Sequence, residues 1–178
     1  MRSFVLIVAI SVPLLVQSAL AQQPPPMPAG WMTIPHSNGC KVWNPAPKPT
    51  ASVTWTGGCT GGQASGRGVL QWLLNGNPTD RFEGELFRGK EHGEGVMIYA
   101  DGRRYEGSFR DSQRSGRGTL TYANGMKYVG DWKADRPNGK GTLTAGTDVY
   151  SGAWIDGCFR EGDKKAWLNK SPRECGFE

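Results

Sequence analysis

His36 and His92 are the only imidazoles in this 178-residue chain, and a general base of that kind needs an orienting partner and a cleft. Neither has a companion motif. Two carboxylate pairs, Glu83 with Glu85 and Glu91 with Glu94, have the residue types of glycoside hydrolysis, which sets two acids across a sugar groove. Glu83 and Glu85 lie between Arg81 and Arg88, however, and a two-residue spacing on a strand puts them on one solvated face as a charge ladder. Cys40, Cys59, Cys158 and Cys175 show no Cys-x-x-Cys spacing. They suit disulfides in an oxidising compartment better than zinc. The chain therefore reads as no enzyme, with no cofactor and no metal.

The compartment follows from the N-terminus. Met1-Arg2, the apolar run Phe4 to Val16 and the small-residue site Ala19-Leu20-Ala21 have the order of an export signal, so residues 1–21 are expected to be cleaved. The product is exported, periplasmic or extracellular. Residues 22–30, rich in proline, read as an extended tether. The formal net charge of +5 falls to +4 once Arg2 is removed, and basic and acidic residues alternate along the chain. Such interleaving lacks the clustered basic face that nucleic acid demands.

From Trp31 onward the residues are patterned. Phe82-Glu83-Gly84-Glu85-Leu86, Tyr105-Glu106-Gly107-Ser108-Phe109, Tyr128-Val129-Gly130-Asp131-Trp132 and Tyr150-Ser151-Gly152-Ala153-Trp154 start 23, 23 and 22 residues apart. Trp55-Thr56-Gly57-Gly58-Cys59 is a degenerate earlier copy. Each copy carries a second block, such as Gly93-Glu94-Gly95-Val96-Met97-Ile98-Tyr99 or Gly116-Arg117-Gly118-Thr119-Leu120-Thr121-Tyr122. A fixed period of this length marks stacked repeats. Both blocks alternate with period two, so Tyr105, Gly107 and Phe109 share one face and Glu106, Ser108 and Arg110 the other. Asp101-Gly102 and Asn124-Gly125 between blocks predict tight type I′ hairpins. The fold class is all-β, an antiparallel meander with no helical segment between Trp31 and Gly157.

The Tyr-x-Gly-x-Trp/Phe block followed by Gly-Lys-x-His-Gly-x-Gly, best seen in Gly89-Lys90-Glu91-His92-Gly93-Glu94-Gly95, resembles the MORN (membrane occupation and recognition nexus) family. The resemblance covers three good copies and two degraded ones over residues 55 to about 157. It implies an elongated single-layer sheet of β-hairpin repeats serving as a binding or scaffolding element for phospholipid or protein. In the other copies Gly-Lys becomes Gly62-Gln63, Ser112-Gln113 and Asp135-Arg136, and His92 is replaced by Ser65, Ser115 and Asn138. An ordered row of lysine and histidine is thus absent.

Strands lie about 4.8 Å apart, so each two-stranded copy advances the strip by about 10 Å. Cys59 and Cys158, four copies apart, would be roughly 40 Å from each other, whereas a disulfide needs Cα atoms within about 7 Å. The surviving pairing is Cys40–Cys59 and Cys158–Cys175, one clamp at each end. The expected organisation is a signal over 1–21, a tether over 22–30, an N-terminal cap over 31–54, repeats over 55–157 and a C-terminal cap over 158–178.

One face of the strip gathers Phe82, Tyr105, Tyr128 and Tyr150 with Leu86, Phe109, Trp132 and Trp154, more apolar surface than a single layer buries against itself. Two roles are open to it. It is either core, closed by twist and by segments 31–50 and 159–178, or a ligand surface made of Phe82, Tyr105, Phe109, Tyr128, Trp132, Tyr150 and Trp154. As a ligand surface it would hold a protein or envelope macromolecule, or a second copy of the chain. The alternative partner is an anionic membrane surface, met by Arg88, Lys90, Arg110, Arg114, Lys133 and Arg136, which recur after the first strand of each copy and are expected to project from one edge.

Overall fold

The computed structural model describes residues 30–177; the expected signal over 1–21 and residues 22–29 of the expected tether lie outside them. An N-terminal group of short strands comprises β1 (Gly30–Thr33), β2 (Lys41–Asn44), β3 (Ala51–Trp55) and β4 (Gly58–Thr60). The strip proper runs through β5 (Gln63–Leu74), β6 (Asn77–Phe87), β7 (Lys90–Ile98), β8 (Arg104–Arg110), β9 (Gln113–Thr121), β10 (Lys127–Lys133), β11 (Arg136–Ala145) and β12 (Asp148–Ile155). β13 (Cys158–Glu161), β14 (Lys164–Trp167) and a single 3-10 turn, Arg173–Cys175, close the C-terminal end.

From β5 to β14 every strand pairs antiparallel with the next, while β3 and β4 both pair with β5, and β2 meets β5 in parallel through Lys41 and Gln63. The result is the open all-β hairpin strip that the repeat implies. Two-residue connections at Asn75–Gly76, Arg88–Gly89, Asp111–Ser112, Ala134–Asp135 and Asp156–Gly157 have positive φ at both residues, the type I′ condition. The expectation for Asp101-Gly102 and Asn124-Gly125 needs correcting. There only the glycine is left-handed, φ 84° in each, and the loop is wider, closed by Tyr99 N–H to Arg103 O at 2.9 Å and Tyr122 N–H to Met126 O at 2.8 Å. Asp101 and Asn124 each accept, at 3.1 Å, the N–H two residues on. That side-chain turn lets the carboxylate or amide residue keep ordinary φ.

The period-two alternation produces a register in which glycines face glycines: Gly68, Gly84, Gly95, Gly107, Gly118, Gly130, Gly141 and Gly152 form one row across eight strands. On the inner face the rings of Phe82, Tyr105 and Tyr128 lie across this row, occupying the space where the missing side chains would stand. Tyr105 and Tyr128, 23 residues apart, also repeat a hydrogen bond, each hydroxyl donating to the carbonyl three residues on, at 3.1 and 3.2 Å.

These rings continue into one zigzag of edge-to-face pairs. Phe82 meets Phe109 at 5.1 Å, Phe109 meets Tyr105 at 5.0 Å, and Tyr105 meets Trp132 at 5.3 Å. Trp132 meets Tyr128 and Tyr128 meets Trp154, both at 5.2 Å. Each such pair adds about 0.5–1.5 kcal/mol beyond area burial. A single layer thereby makes its own core: rings fill the glycine row and then stack on one another. Ile34, Cys40 and Val42 join that core from one end and Ala166 and Leu168 from the other. Each end is pinned by a disulfide, Cys40–Cys59 with Cα atoms 6.0 Å apart and Cys158–Cys175 at 5.6 Å. Among the described residues no helix is long and apolar enough to cross a membrane.

Candidate functional site

Phe82, Tyr105 and Tyr128 are fully buried, and Trp154, Trp132 and Phe109 are 1%, 3% and 5% exposed; Tyr150 is half-buried. Most of the aromatic face is therefore core. What remains accessible is a groove of about 720 Å3 over the middle of that face. Its apolar lining includes Trp72, Met97, Tyr99 and Phe109, and its polar lining includes Glu91, Ser112, Arg114 and Asp135 together with Lys48, Asp80, Arg103 and Arg136. The volume falls in the range of small-ligand sites, about 300–1,000 Å3.

The polar side of the groove is built by a seam between successive hairpin turns. The second turn residue donates its N–H to a carbonyl in the preceding repeat: Gly89 to Ala64 at 2.8 Å, Ser112 to Glu91 at 3.0 Å, Asp135 to Arg114 at 3.2 Å and Gly157 to Pro137 at 2.8 Å. Where that residue has a polar side chain it also accepts. Glu91 N–H donates to Ser112 Oγ at 3.3 Å and Arg114 N–H to Asp135 Oδ1 at 3.0 Å. Burial, with some help from the Asp135 charge, pushes the Glu91 carboxyl above its ordinary range, and the Ser112 hydroxyl only partly offsets this. Burial likewise raises the Tyr99 phenol, opposed by the charge of Arg114.

The basic residues expected on one edge are divided by the structure. Arg88, Arg110, Lys133 and Arg136 are exposed, with Arg136 paired to Asp156 at 2.8 Å. Lys90 is half-buried, its ammonium 5.2 Å from the Trp43 ring centre. Arg114 does not project. It is buried, bonded through Nε to Asp135 Oδ1 at 2.9 Å and stacked 4.5 Å from the Trp132 ring centre. Its parity with Leu120 along β9 turns it to the inner face, a signal that the sequence already carried. The same parity along β7 turns Glu91 inward with Met97.

His92 packs beside Phe87, ring centres 5.7 Å apart, and does not line the groove. Glu83 pairs with Arg81. Among the described residues no group of three or more His, Cys, Asp and Glu side chains is placed to hold a metal ion.

The hairpins that carry the groove match the family model of the MORN repeat at residues 82–103, 105–127 and 128–147. The chain carries three MORN repeats. The degraded copies, at Trp55 and Tyr150, fall outside the matched residues, yet their strands join the same ladder, with Gly68 and Gly152 ending the glycine row. No curated protein matches the chain. MORN repeats are binding and scaffolding modules rather than catalytic units. The groove geometry agrees in kind, offering aromatic walls and fixed hydrogen-bonding groups.

Proposed function

We propose that this protein is a non-enzymatic, extracytoplasmic binding module whose MORN strip holds a macromolecular partner, a protein or envelope polymer, against its inner aromatic face. The observation that supports this reading is the groove: the inner face is closed at both ends by disulfide-pinned segments but left open over Trp72, Met97, Tyr99 and Phe109. Aromatic side chains at the edge of a rigid core are the groups expected at binding hot spots. Two disulfides favour an oxidising, exported location.

The test is capture from an envelope or extracellular fraction by the mature chain beside a Trp72→Ala/Tyr99→Ala variant. Loss of a captured partner at unchanged melting temperature supports the groove as the contact; equal capture moves the partner elsewhere. The alternative, contact with anionic phospholipid, rests on exposed Arg88, Arg110 and Lys133 along one edge. Vesicle sedimentation without dependence on anionic lipid removes it.

A further inference from the structure

Ala64, Glu91, Arg114 and Pro137 occupy one equivalent inner-face position in four successive copies, and all are buried. Ala64 and Pro137 show that the sheet closes there without a polar group. Glu91 and Arg114, in the two central copies, nevertheless place a carboxyl and a guanidinium at that position. Each has a buried atom, Oε2 of Glu91 and Nη1 of Arg114, with no hydrogen-bond partner. Such atoms disfavour the folded state unless something satisfies them. Both residues line the groove, on β7 and β9, with Phe109 of the intervening β8 also in its lining.

We propose that the groove is a binding site for a carboxylate carried on an apolar body, its oxygens accepting from Arg114 Nη1 and the Glu91 carboxyl while the body lies against Met97, Tyr99 and Trp72. This deepens the groove-binding reading and rests on it. Arg114 is held for such a role: Nε and Nη2 are occupied by Asp135, at 2.9 and 2.8 Å, leaving the third nitrogen of its planar fork for an acceptor. A carboxyl kept protonated by burial is a donor, and the direction of the Glu91 shift favours that state.

The test is calorimetric titration of the mature, disulfide-bonded chain with 4-phenylbutyrate, its amide, and the peptide Ala-Gly-Ala-Leu-Phe as free acid and as C-terminal amide. At least one acid should bind on the order of tenfold or more tighter than its amide. Glu91→Ala and Arg114→Lys should each abolish that preference, and Glu91→Ala should retain or raise the melting temperature because it restores the side chain found at Ala64. Binding of phenylbutyrate identifies a free acid as sufficient, and binding of the peptide acid alone identifies a chain end; both support the site. Equal affinity for acid and amide overturns the carboxylate assignment, and if that affinity falls with Tyr99→Ala the groove itself still stands as the partner site. Absence of saturable binding by either acid at millimolar concentration overturns the proposal, as does an acid preference that survives Glu91→Ala. Should Arg114→Lys fail to fold, the acid–amide comparison and Glu91→Ala decide the matter.

Discussion

Arg114 and Asp135, one repeat apart, are joined by four hydrogen bonds. The backbone N–H and Nε of Arg114 both donate to Asp135 Oδ1, at 3.0 and 2.9 Å, Nη2 donates to the Asp135 carbonyl at 2.8 Å, and Asp135 N–H returns to the Arg114 carbonyl at 3.2 Å. The two residues lock neighbouring hairpins together at the edge of the groove.

Asp135→Ala should therefore cost about 2 kcal/mol, since it leaves a buried guanidinium short of its counter-charge. The figure lies below the full cost of a broken buried pair because the Asp135 side chain is 45% exposed. Urea unfolding measures it. A loss no larger than that of Asp111→Ala at the neighbouring exposed turn position would mean that the clasp contributes nothing.

Glu91 should make stability depend on pH. Its carboxyl is held above 4.5 by burial, so the folded chain binds this proton more tightly than the unfolded chain. The resulting stabilisation is complete below the unfolded value and is lost as pH rises through the folded one. Glu91→Gln is neutral throughout, so its melting temperature relative to the parent should climb as pH rises above 4.5 and level off once the folded carboxyl has ionised. A flat difference over that range would show that Glu91 titrates normally.

Two glycines separate close packing from turn conformation. A Cβ at Gly118 would fall within the Tyr105 ring, whereas one at Gly125, φ 84°, would meet nothing within 4 Å. Gly118→Ala should cost about 3 kcal/mol through overpacking. Gly125→Ala should cost only about 1 kcal/mol for its left-handed backbone. Thermal unfolding of the two variants compares them directly, and equal losses would refute the ring-over-glycine account of the core.

Folding and binding should also come apart along the inner face. Tyr128→Ala removes a fully buried ring that touches Trp132 and Trp154, for a loss of about 3–5 kcal/mol. Tyr99→Ala, half-buried on the groove wall, should leave the melting temperature nearly unchanged and weaken partner capture. The reverse pattern, an unstable Tyr99→Ala and a stable Tyr128→Ala, would contradict the division of the face into core and groove.

Opening the C-terminal clamp is the last test. Cys158→Ser/Cys175→Ser releases a bridge spanning 17 residues, worth about 3 kcal/mol by loop closure. Chemical denaturation should register that loss, and a midpoint unchanged by the double substitution would show that the end is held by packing alone.

The strip was legible in the residues because its determinants are local. The 23-residue spacing from Tyr105 to Tyr128, the strand alternation and the glycines all act through backbone geometry within one hairpin, and the disulfide pairing followed once strand spacing made Cys59 and Cys158 too distant. The loops at Asp101-Gly102 and Asn124-Gly125 are wider than their dipeptides imply, since the side-chain turns that relieve Asp101 and Asn124 of positive φ compete with the type I′ form at the same dipeptide.

What composition and period left open was whether the aromatic face is core or ligand surface. Only the tertiary structure decided how much of it is covered, because coverage depends on how far each ring reaches over the next strand's glycine and on the path of the segments around Val42 and Leu168, neither of which is a repeat property. The same holds for Glu91 and Arg114: parity along their strands turns them inward, but their meeting in one groove, with atoms still lacking partners, arises from contacts between repeats that no single repeat encodes.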